Sequence, residues 1–275
     1  ALSDVRKDIY IATKTGSTTV EDFWKDLETS LNNLKTDYID IYQFHNPSFC
    51  PKPGDGTGLY EAMLEAKAQG KIHFIGLTNH RLPVAIEACE SGLYDTIQFP
   101  FSYLADQKDI DLVNKCKENN IGFICMKALS GGLINRSDAA YAYLAQFDNV
   151  LPIWGIQKES ELDEFISYQT KAPELTQEIQ DLIAHDRKEL AGDFCRGCGY
   201  CMPCPKGIQI NQCARMSLML RRAPAASWLN DHWQAEMKKI EECLNCGKCK
   251  QHCPYHLNTP KLLKKNYEDY KTFLK

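Results

Sequence analysis

Residues 243–254 read Cys243-Leu-Asn-Cys246-Gly-Lys-Cys249-Lys-Gln-His-Cys253-Pro254, and this stretch decides how the C-terminal part of the chain folds. A near-copy lies upstream as Cys195-x-x-Cys198-x-x-Cys201-x-x-Cys204-Pro205. Three cysteines at two-residue gaps can hold one [4Fe-4S] cluster, and in bacterial two-cluster proteins the fourth cysteine, before proline, binds the other cluster. The two runs therefore predict two [4Fe-4S] clusters that share ligands between the runs, and one-electron chemistry.

Zinc and disulfide bonds are the alternatives for these eight cysteines. Structural zinc sites use two ligand pairs with a spacer, which gives no reason for a third cysteine two residues further on. The remaining cysteines stand singly in apolar segments, as buried reduced thiols do: Cys50, Cys89, Cys116, Cys125 and Cys213. The upstream run departs from the ferredoxin pattern at one point, because two residues rather than three precede Cys204. Clusters remain the prediction.

The charge of the chain is unevenly distributed. Residues 1–192 carry 18 Lys and Arg residues against 29 Asp and Glu, whereas residues 193–275 carry 14 against 7. The simplest interpretation is that the basic part offsets the negative charge of two clusters. Attraction of an acidic electron carrier, such as a ferredoxin or flavodoxin, is the alternative. The basic residues lack the interleaved aromatic residues of single-strand binders, so we expect no nucleic acid partner.

The composition also bounds the location of the protein. No run of about 18 apolar residues is present, so we expect no membrane span. The first eight residues are polar and lack the apolar core of a secretion signal. Together with reduced thiols, these features predict a cytoplasmic protein.

Short β-branched runs alternate with amphipathic helical patterns through residues 9–157, which predicts a parallel sheet with helical crossovers. The predicted strands are Ile9–Lys14, Tyr38–His45, Ile72–Asn79, Thr96–Ser102, Ile121–Leu129 and Leu151–Gln157. Polar residues fall at or near the carboxyl end of each strand, and a barrel brings all of these ends to one rim. No G-x-G-x-x-G follows a strand, which argues against an open dinucleotide-binding sheet. We predict a (β/α)8 TIM-type barrel, with six of its eight strands in this chain.

The chain after the last strand is helical in pattern. Two helical stretches, Glu159–Thr170 and Pro173–Leu190, precede the first cysteine run, and a mostly helical segment with a break at Ala223-Pro224 joins the two runs. We predict a barrel domain over residues 1–192 and a small, mainly helical ferredoxin-like domain over residues 193–275. The tail, Pro260–Lys275, carries an apolar stripe and is predicted to dock on the protein.

The chain resembles the aldo-keto reductase superfamily, specifically its members with an appended iron–sulfur domain. The matching stretches are Ile11-Ala-Thr-Lys14, Ser30-Leu-x-x-Leu-x-Thr-Asp-Tyr-x-Asp-x-Tyr42, His45, Gly70-Lys71, Ile75-Gly76, Thr78-Asn79, Gln98, Met126-Lys-Ala-Leu129, Gly131-Gly132 and Cys-x-x-Cys-Gly-Tyr-Cys-Met-Pro-Cys-Pro. No single barrel motif is specific, but their order and spacing together are.

The resemblance implies a nicotinamide cofactor and a small-molecule carbonyl substrate. In that family the cofactor delivers hydride to the carbonyl carbon while a tyrosine, its pKa lowered by a lysine, donates the proton, and a histidine orients the carbonyl. Lys14 matches the lysine and His45 the histidine. Thr78, Asn79 and Gln98 match the positions that hydrogen-bond the nicotinamide carboxamide. Such a site combines general acid catalysis with donors placed for the developing oxyanion.

The resemblance also suggests where the cofactor phosphates bind. Lys127 is a candidate for a phosphate contact, and Gly131 and Gly132 for a backbone approach to an anion, because glycine removes the Cβ there. Lys158 offers a single cation beside Glu159 for a 2′-phosphate. The expected cofactor is therefore NADP(H) or NAD(H).

The family's tyrosine and the aspartate that pairs with its lysine have no counterparts here. The family places both at the end of the second strand, whereas this chain begins just before the third. Counting by twos from an inward-facing His45 points Tyr42 at the helices, and Tyr10 lies four residues deeper than Lys14. Since a full barrel takes about 250 residues, we expect either that about 60 residues precede this chain or that the barrel cannot carry out the family's chemistry.

Three functions are open on these grounds. The prediction is an iron–sulfur oxidoreductase of aldo-keto reductase type, with electron relay through two [4Fe-4S] clusters. The alternative is an electron-transfer protein whose barrel is a non-catalytic scaffold. The third interpretation makes the clusters structural clamps only.

Overall fold

The computed structural model describes residues 3–190, 194–222 and 224–274, and its first unit is built on one parallel sheet. The six strands are β1 (Ala12–Thr15), β2 (Ile39–His45), β3 (Ile72–Thr78), β4 (Thr96–Pro100), β5 (Gly122–Met126) and β6 (Val150–Pro152). Each strand pairs in parallel with the next one along the chain. A doubly wound sheet would reverse its order at a switch point, so the sequential order confirms the predicted barrel-type α/β arrangement.

The first unit comprises residues 3–100, 105–126 and 147–153. Its helices are α1 (Val20–Leu34), α2 (Leu59–Ala68), α3 (Leu82–Glu90) and α4 (Gln107–Glu118). One helix in each gap between successive strands is the connection that parallel strands require. All six predicted strands are longer than the observed ones. The difference is large for the last strand, predicted at Leu151–Gln157 and observed at Val150–Pro152. β5 ends at Met126 because Lys127 adopts the left-handed conformation, at φ 58°.

Helix α1 shows how the sequence sets the core of this unit. The Thr19 side chain accepts a hydrogen bond from the backbone N–H of Asp22 (3.2 Å) and caps the helix. The buried stripe is Phe23, Leu27 and Leu31. Leu34 continues the same helical spacing but is 41% exposed, because it is the last residue of the helix. Burial of an amphipathic face, rather than helix propensity, is what holds such a helix in place.

The second unit comprises residues 101–104, 127–146 and the described residues from 154 onwards. Its helices are α5 (Ser137–Leu144), α6 (Glu159–Thr170), α7 (Gln177–Glu189), α8 (Ile210–Cys213), α9 (Met216–Arg222), α10 (Asp231–Lys238), α11 (Lys248–Gln251) and α12 (Thr259–Phe273). The mainly helical character predicted for the C-terminal part is confirmed. The predicted break lies at Pro224, which precedes a 3-10 turn; Ala223 lies outside the described residues. The predicted domain boundary at residues 192 and 193 stays a prediction.

Helix α12 docks on the core of the second unit, as its apolar stripe predicts. Leu263 and Tyr270 are buried in a cluster with Ile208, Met216 and Met237. The Tyr270 hydroxyl donates a hydrogen bond to the Trp228 carbonyl at 2.7 Å. Among the described residues, none of the helices combines the length and the apolar character that a membrane crossing requires.

A buried carboxylate ties the start of β1 to β2. The Asp40 side chain accepts a hydrogen bond from the backbone N–H of Ile11 (2.8 Å). It also forms an ion pair with the Arg6 guanidinium (2.9 Å). In Asp40→Ala, loss of this acceptor should cost about 2 kcal/mol locally, or roughly thirtyfold faster exchange of the Ile11 amide hydrogen. Hydrogen exchange read by mass spectrometry or NMR checks this, with the exposed Asp37→Ala as the control. Equal protection of Ile11 in both variants contradicts it.

Candidate metal centres and candidate active site

Two pockets in the second unit are lined by the eight cysteines of the two runs. The first cradle is formed by Cys195, Cys198, Cys201 and Cys253 around about 340 Å³ of space. The second cradle is formed by Cys204, Cys243, Cys246 and Cys249 around about 420 Å³, with Cys201 also at its border. Each cradle therefore takes three cysteines from one run and the proline-preceding cysteine from the other, which is the crossing that the sequence pattern predicts.

The spacing of the sulfur atoms fits a cluster better than a single zinc ion. A tetrahedral zinc site with bonds of about 2.3 Å brings its sulfur ligands to about 3.8 Å of one another. Among the described residues, no three of these sulfur atoms lie all within 4.8 Å of one another. The thirteen cysteines are all free thiols. The spacing of the sulfur atoms therefore argues against a single zinc ion, and four thiols in each cradle are the donor set that a [4Fe-4S] cluster uses.

Burial makes these thiols reluctant to ionise without a counter-charge. It raises the pKa of Cys195 and Cys249, and it raises the pKa of Cys201 to about 12. Cys195 interacts electrostatically with Cys198 and Cys253, and Cys249 interacts with Cys243 and Cys246. Cys201 interacts with Cys195 and Cys198 of the first cradle and also with Cys249 of the second. Only the thiolate binds metal, so a bound cation must supply the charge that keeps these sulfurs ionised.

A buried arginine lies beside the first cradle. Arg215 is 6% exposed, interacts electrostatically with Cys195 and donates a hydrogen bond to the Gly131 carbonyl. A Cβ on Gly131 would lie 3.0 Å from its Nη1, and one on Gly197 only 2.5 Å away. Both glycines have φ of +65°. Glycine at 131 and 197 thus lets the guanidinium fit between two backbone segments.

Lys127 lies beside the first cradle as well. Its Nζ donates a hydrogen bond to the Arg196 carbonyl at 2.7 Å, and Cys198 and Cys195 interact with its charge. Burial lowers the pKa of Lys127, and the cysteines partly oppose that shift. A contact of Lys127 with a cofactor phosphate, and of Gly131 or Gly132 with a cofactor anion, stays a prediction. What the structure shows at Lys127 and Gly131 is contact with residues of the C-terminal part.

In the first unit, predicted catalytic and cofactor residues meet at the carboxyl ends of neighbouring strands. His45 of β2 pairs in register with Thr78 of β3, which pairs with Gln98 of β4. Lys14 of β1 interacts electrostatically with His45. Burial lowers the pKa of Lys14, and burial together with the Lys14 charge lowers the pKa of His45. At neutral pH the pair therefore combines a cationic lysine with a neutral imidazole.

Asn79 is fully buried, and its amide is used within the fold. Its Nδ2 donates to the Pro47 carbonyl at 2.8 Å, while its Oδ1 accepts from the backbone N–H groups of His80 (2.9 Å) and Arg81 (2.8 Å). Such an arrangement fixes the turn after β3. The predicted contact of Asn79 with a nicotinamide carboxamide remains a prediction, and one hydrogen of its amide is left for it.

Lys158 is exposed at the start of α6. The Glu161 carboxylate accepts hydrogen bonds from the backbone N–H groups of Gln157 (2.8 Å) and Lys158 (3.2 Å). A helix N-terminus attracts anions, and here a side chain of the protein already occupies that position. The site predicted for a 2′-phosphate therefore carries a carboxylate.

Neither tyrosine considered as a proton donor takes the family position. The Tyr42 ring packs edge-on against Phe23 of α1, with ring centres 5.8 Å apart, as the alternation along β2 predicts. Tyr10 precedes β1 and is 82% exposed. Tyr42 thus lies on the helix side of the sheet, and Tyr10 lies before the strand that carries Lys14.

Sequence reasoning missed Arg196 and Arg215. Arg215 stands in an otherwise apolar helical stretch two residues after the buried Cys213, and a lone charge in such a pattern signals a specific partner. The Arg196 guanidinium lies 4.9 Å from the ring centre of Phe194 and 4.4 Å from that of Tyr255. Nothing in the sequence pattern points to that stacking.

Comparison with known families assigns the N-terminal part and the cysteine-rich C-terminal part of the chain to two different families. The Aldo/keto reductase family matches residues 1–139, just over half of the chain. The 4Fe-4S dicluster domain matches residues 194–258, which contain all eight cysteines of the two cradles.

Curated relatives match part of the chain. Methylglyoxal reductase DkgB of Salmonella typhi is 37% identical over 118 residues, covering 38% of this chain and 42% of that protein. L-galactose dehydrogenase of Arabidopsis thaliana is 28% identical over 144 residues, covering 49% of this chain and 45% of the relative. The chain thus spans about half the length of these relatives.

A solved structure supports the fold. An aldo-keto reductase from Bacillus halodurans superposes with a TM-score of 0.57 at 22% identity, covering 68% of this chain and 74% of that one. At this identity the likeness concerns the fold alone. Because the family match extends over more than half of the sequence, the protein belongs to the aldo/keto reductase family, and its C-terminal part is a 4Fe-4S dicluster domain.

Proposed function

We propose that the protein is an iron–sulfur oxidoreductase of aldo-keto reductase type. Its barrel interconverts a small carbonyl compound and its alcohol by hydride exchange with NADP(H) or NAD(H). Separately, its two [4Fe-4S] clusters relay single electrons to and from an external one-electron carrier. The observation that carries this proposal is the pair of cradles, each lined by cysteines from both runs. Membership of the family supports the reaction at a carbonyl group. The two cysteine-lined cradles support one-electron transfer through clusters.

Each cradle supplies four thiolates to one cluster. Cys195, Cys198, Cys201 and Cys253 would hold the first, and Cys204, Cys243, Cys246 and Cys249 the second. A cluster of this type supplies a one-electron store whose potential depends on surrounding charge, hydrogen bonds and exposure. The protein contributes a backbone donor as well, since the Gly197 N–H points at the Cys195 sulfur at 3.4 Å.

Lys14 and His45 form the carbonyl-binding pair. A cationic lysine beside a neutral imidazole offers two hydrogen-bond donors to a carbonyl oxygen, which stabilises negative charge as it develops there. The lowered pKa of Lys14 brings its proton closer to transferability at neutral pH. Thr78, Asn79 and Gln98 would orient the nicotinamide carboxamide next to this pair, and the bound nicotinamide supplies the hydride.

The adenosine end of the cofactor is assigned to Gly131, Gly132, Lys127 and Lys158. Of these, Lys158 is the cation with an exposed side chain. The Glu161 carboxylate at the same helix terminus opposes a 2′-phosphate, so the residues present favour NAD(H) over NADP(H).

An acidic one-electron carrier, such as a ferredoxin or flavodoxin, is the proposed partner of the clusters. The surplus positive charge of residues 193–275 would attract it. Lys206 and Lys248 line the second cradle, where Cys246 and Leu244 are exposed. An exposed cluster edge ringed by lysines suits docking of a negatively charged protein.

The second candidate function is electron transfer with the barrel as a scaffold. It is favoured by the positions of Tyr42 and Tyr10, neither of which can donate a proton at the strand ends. The retained Lys14, His45 and Gln98 favour turnover instead.

Turnover by this chain separates the two candidates. With clusters loaded anaerobically, we expect NADH or NADPH to be oxidised in the presence of one or more aldehydes from a panel. Lys14→Met should lower kcat/KM by about 100-fold, because it removes a donor to the developing oxyanion. The exposed Lys25→Met on α1 is the matched charge control. Cluster-loaded protein that oxidises neither cofactor, or equal activity in the two variants, supports the scaffold function instead.

Alkylation mapping tests which cysteines share a cluster. In Cys253→Ala, the first cradle loses a ligand, so Cys195, Cys198 and Cys201 should react with iodoacetamide while Cys243, Cys246 and Cys249 stay protected. Cys204→Ala should give the reverse pattern, and Cys213→Ala should leave both sets protected. Peptide mass spectrometry reads the modified sites. Exposure of the cysteines in the same run as the mutated residue would show that the ligands do not cross.

Cofactor preference provides a further test. In Glu161→Gln, a neutral amide replaces the carboxylate at the start of α6 and can still accept the two backbone hydrogen bonds. Removing about 1 kcal/mol of like-charge repulsion should raise the NADPH-to-NADH ratio of kcat/KM by about fivefold. Glu174→Gln, in the loop before α7, is the control and should leave the ratio unchanged. An unchanged ratio in Glu161→Gln places the 2′-phosphate elsewhere.

A further inference from the structure

Three cations surround the first cradle: Lys127, Arg196 and Arg215. Their close partners are neutral groups. Lys127 donates to the Arg196 carbonyl, Arg215 donates to the Gly131 carbonyl, and the Arg196 guanidinium stacks between two aromatic rings. In the described ranges, the carboxylates form their ion pairs with other cations. The positive charge at the first cradle is therefore not neutralised by described acidic side chains.

An unpaired cation inside a protein is costly, so this arrangement requires an anion. Arg215 is 6% exposed, and its Nε has no hydrogen-bond partner among the described residues. Removal of a guanidinium from water is offset only when an opposite charge lies close by. The groups next to Lys127 and Arg215 that can become anionic are the cysteines of the first cradle. A [4Fe-4S] cluster with four thiolates, at about −2 when oxidised, meets this demand.

The second cradle differs in its charges. Lys206 is paired with Glu242 at 3.7 Å, and both side chains are exposed. Lys248 and Cys246 are exposed as well. Water and salt screen charges in such positions, so they act weakly on a nearby cluster.

We propose that Lys127, Arg196 and Arg215 raise the reduction potential of the cluster in the first cradle above that of the cluster in the second. The inference rests on the cluster ligation proposed above. Reduction adds one electron and one negative charge without making or breaking a bond, and nearby unscreened cations stabilise that added charge. A single electron shared by the two centres therefore resides at the first cradle.

Burial acts in the opposite direction, because a low-dielectric site disfavours the more negative, reduced state. The two cradles differ in this respect, because Cys246 of the second cradle is exposed whereas none of the four cysteines of the first cradle is, so burial by itself disfavours reduction at the first cradle. Each contains one buried cysteine, Cys195 at 9% and Cys249 at 8% exposure. Three cations without a described carboxylate partner, one of them the buried Arg215, outweigh one paired and one exposed lysine, so charge decides the order of the potentials.

A potentiometric titration of the anaerobic, cluster-loaded protein, followed by electron paramagnetic resonance, tests the proposal. Lys127→Met should lower the higher of two midpoint potentials and leave the lower one in place. A tenfold loss in the equilibrium constant for reduction corresponds to about 59 mV for one electron. The matched control is Lys248→Met, which should leave the higher midpoint unchanged.

Arg196 provides a second, conservative pair. Arg196→Gln should lower the same midpoint. Arg196→Lys keeps the charge, so its higher midpoint should stay at the wild-type value. A role in folding alone would not separate these two variants. An unchanged higher midpoint in both Lys127→Met and Arg196→Gln, or a shift confined to the lower midpoint, overturns the proposal.

The control measurement is iron content. Wild-type protein with about eight irons per chain, in which the higher midpoint belongs to the cluster in the second cradle, would overturn this inference and leave the proposed cluster ligation intact. Protein that cannot be loaded with iron would instead overturn the proposed function, and the inference with it.

Discussion

The crossing of the two cysteine runs is the constraint on which the C-terminal part depends. Because each cradle draws its fourth cysteine from the other run, residues 195–204 and 243–253 must lie side by side. The segment between them must leave and return, and it does so as short helices packed on α12 around Ile208, Ile210 and Met237. So small a core supplies little stability by itself, and metal cross-links are a common way of stabilising such domains.

The charge of the chain follows from the same constraint. Four thiolates around a cluster would carry negative charge, and the protein places cations beside the first cradle, where Arg215 is buried. Two of these cationic contacts involve Lys127 and Gly131, which precede α5 in a loop that the family resemblance assigns to the cofactor. Lysines and glycines suit an anion of either kind, a phosphate or a cluster, so residue type alone does not distinguish the two roles. The hydrogen bonds observed at Lys127 and Gly131 are to residues of the C-terminal part, and their contact with a cofactor stays a prediction.

Much of the fold could be predicted from the sequence because periodic patterns determine it. The two-residue alternation along β2 predicted that Tyr42 faces α1, where it packs against Phe23. The spacing of the cysteines predicted ligands shared between the two runs, and the lining of the two cradles agrees with that prediction. Leu34 shows the limit of periodicity, because a residue that fits the apolar stripe is exposed where the helix ends. Arg215 shows a second limit. Its partners, Gly131 and Cys195, are far away in sequence, and only the folded chain brings them to the guanidinium.

The most direct test of the account is the content of iron and acid-labile sulfide in protein prepared without oxygen. Two four-iron clusters in the observed cradles require about eight atoms of each per chain. Protein that contains zinc and no labile sulfide would contradict the assignment of the cradles, and with it the one-electron chemistry attributed to this chain.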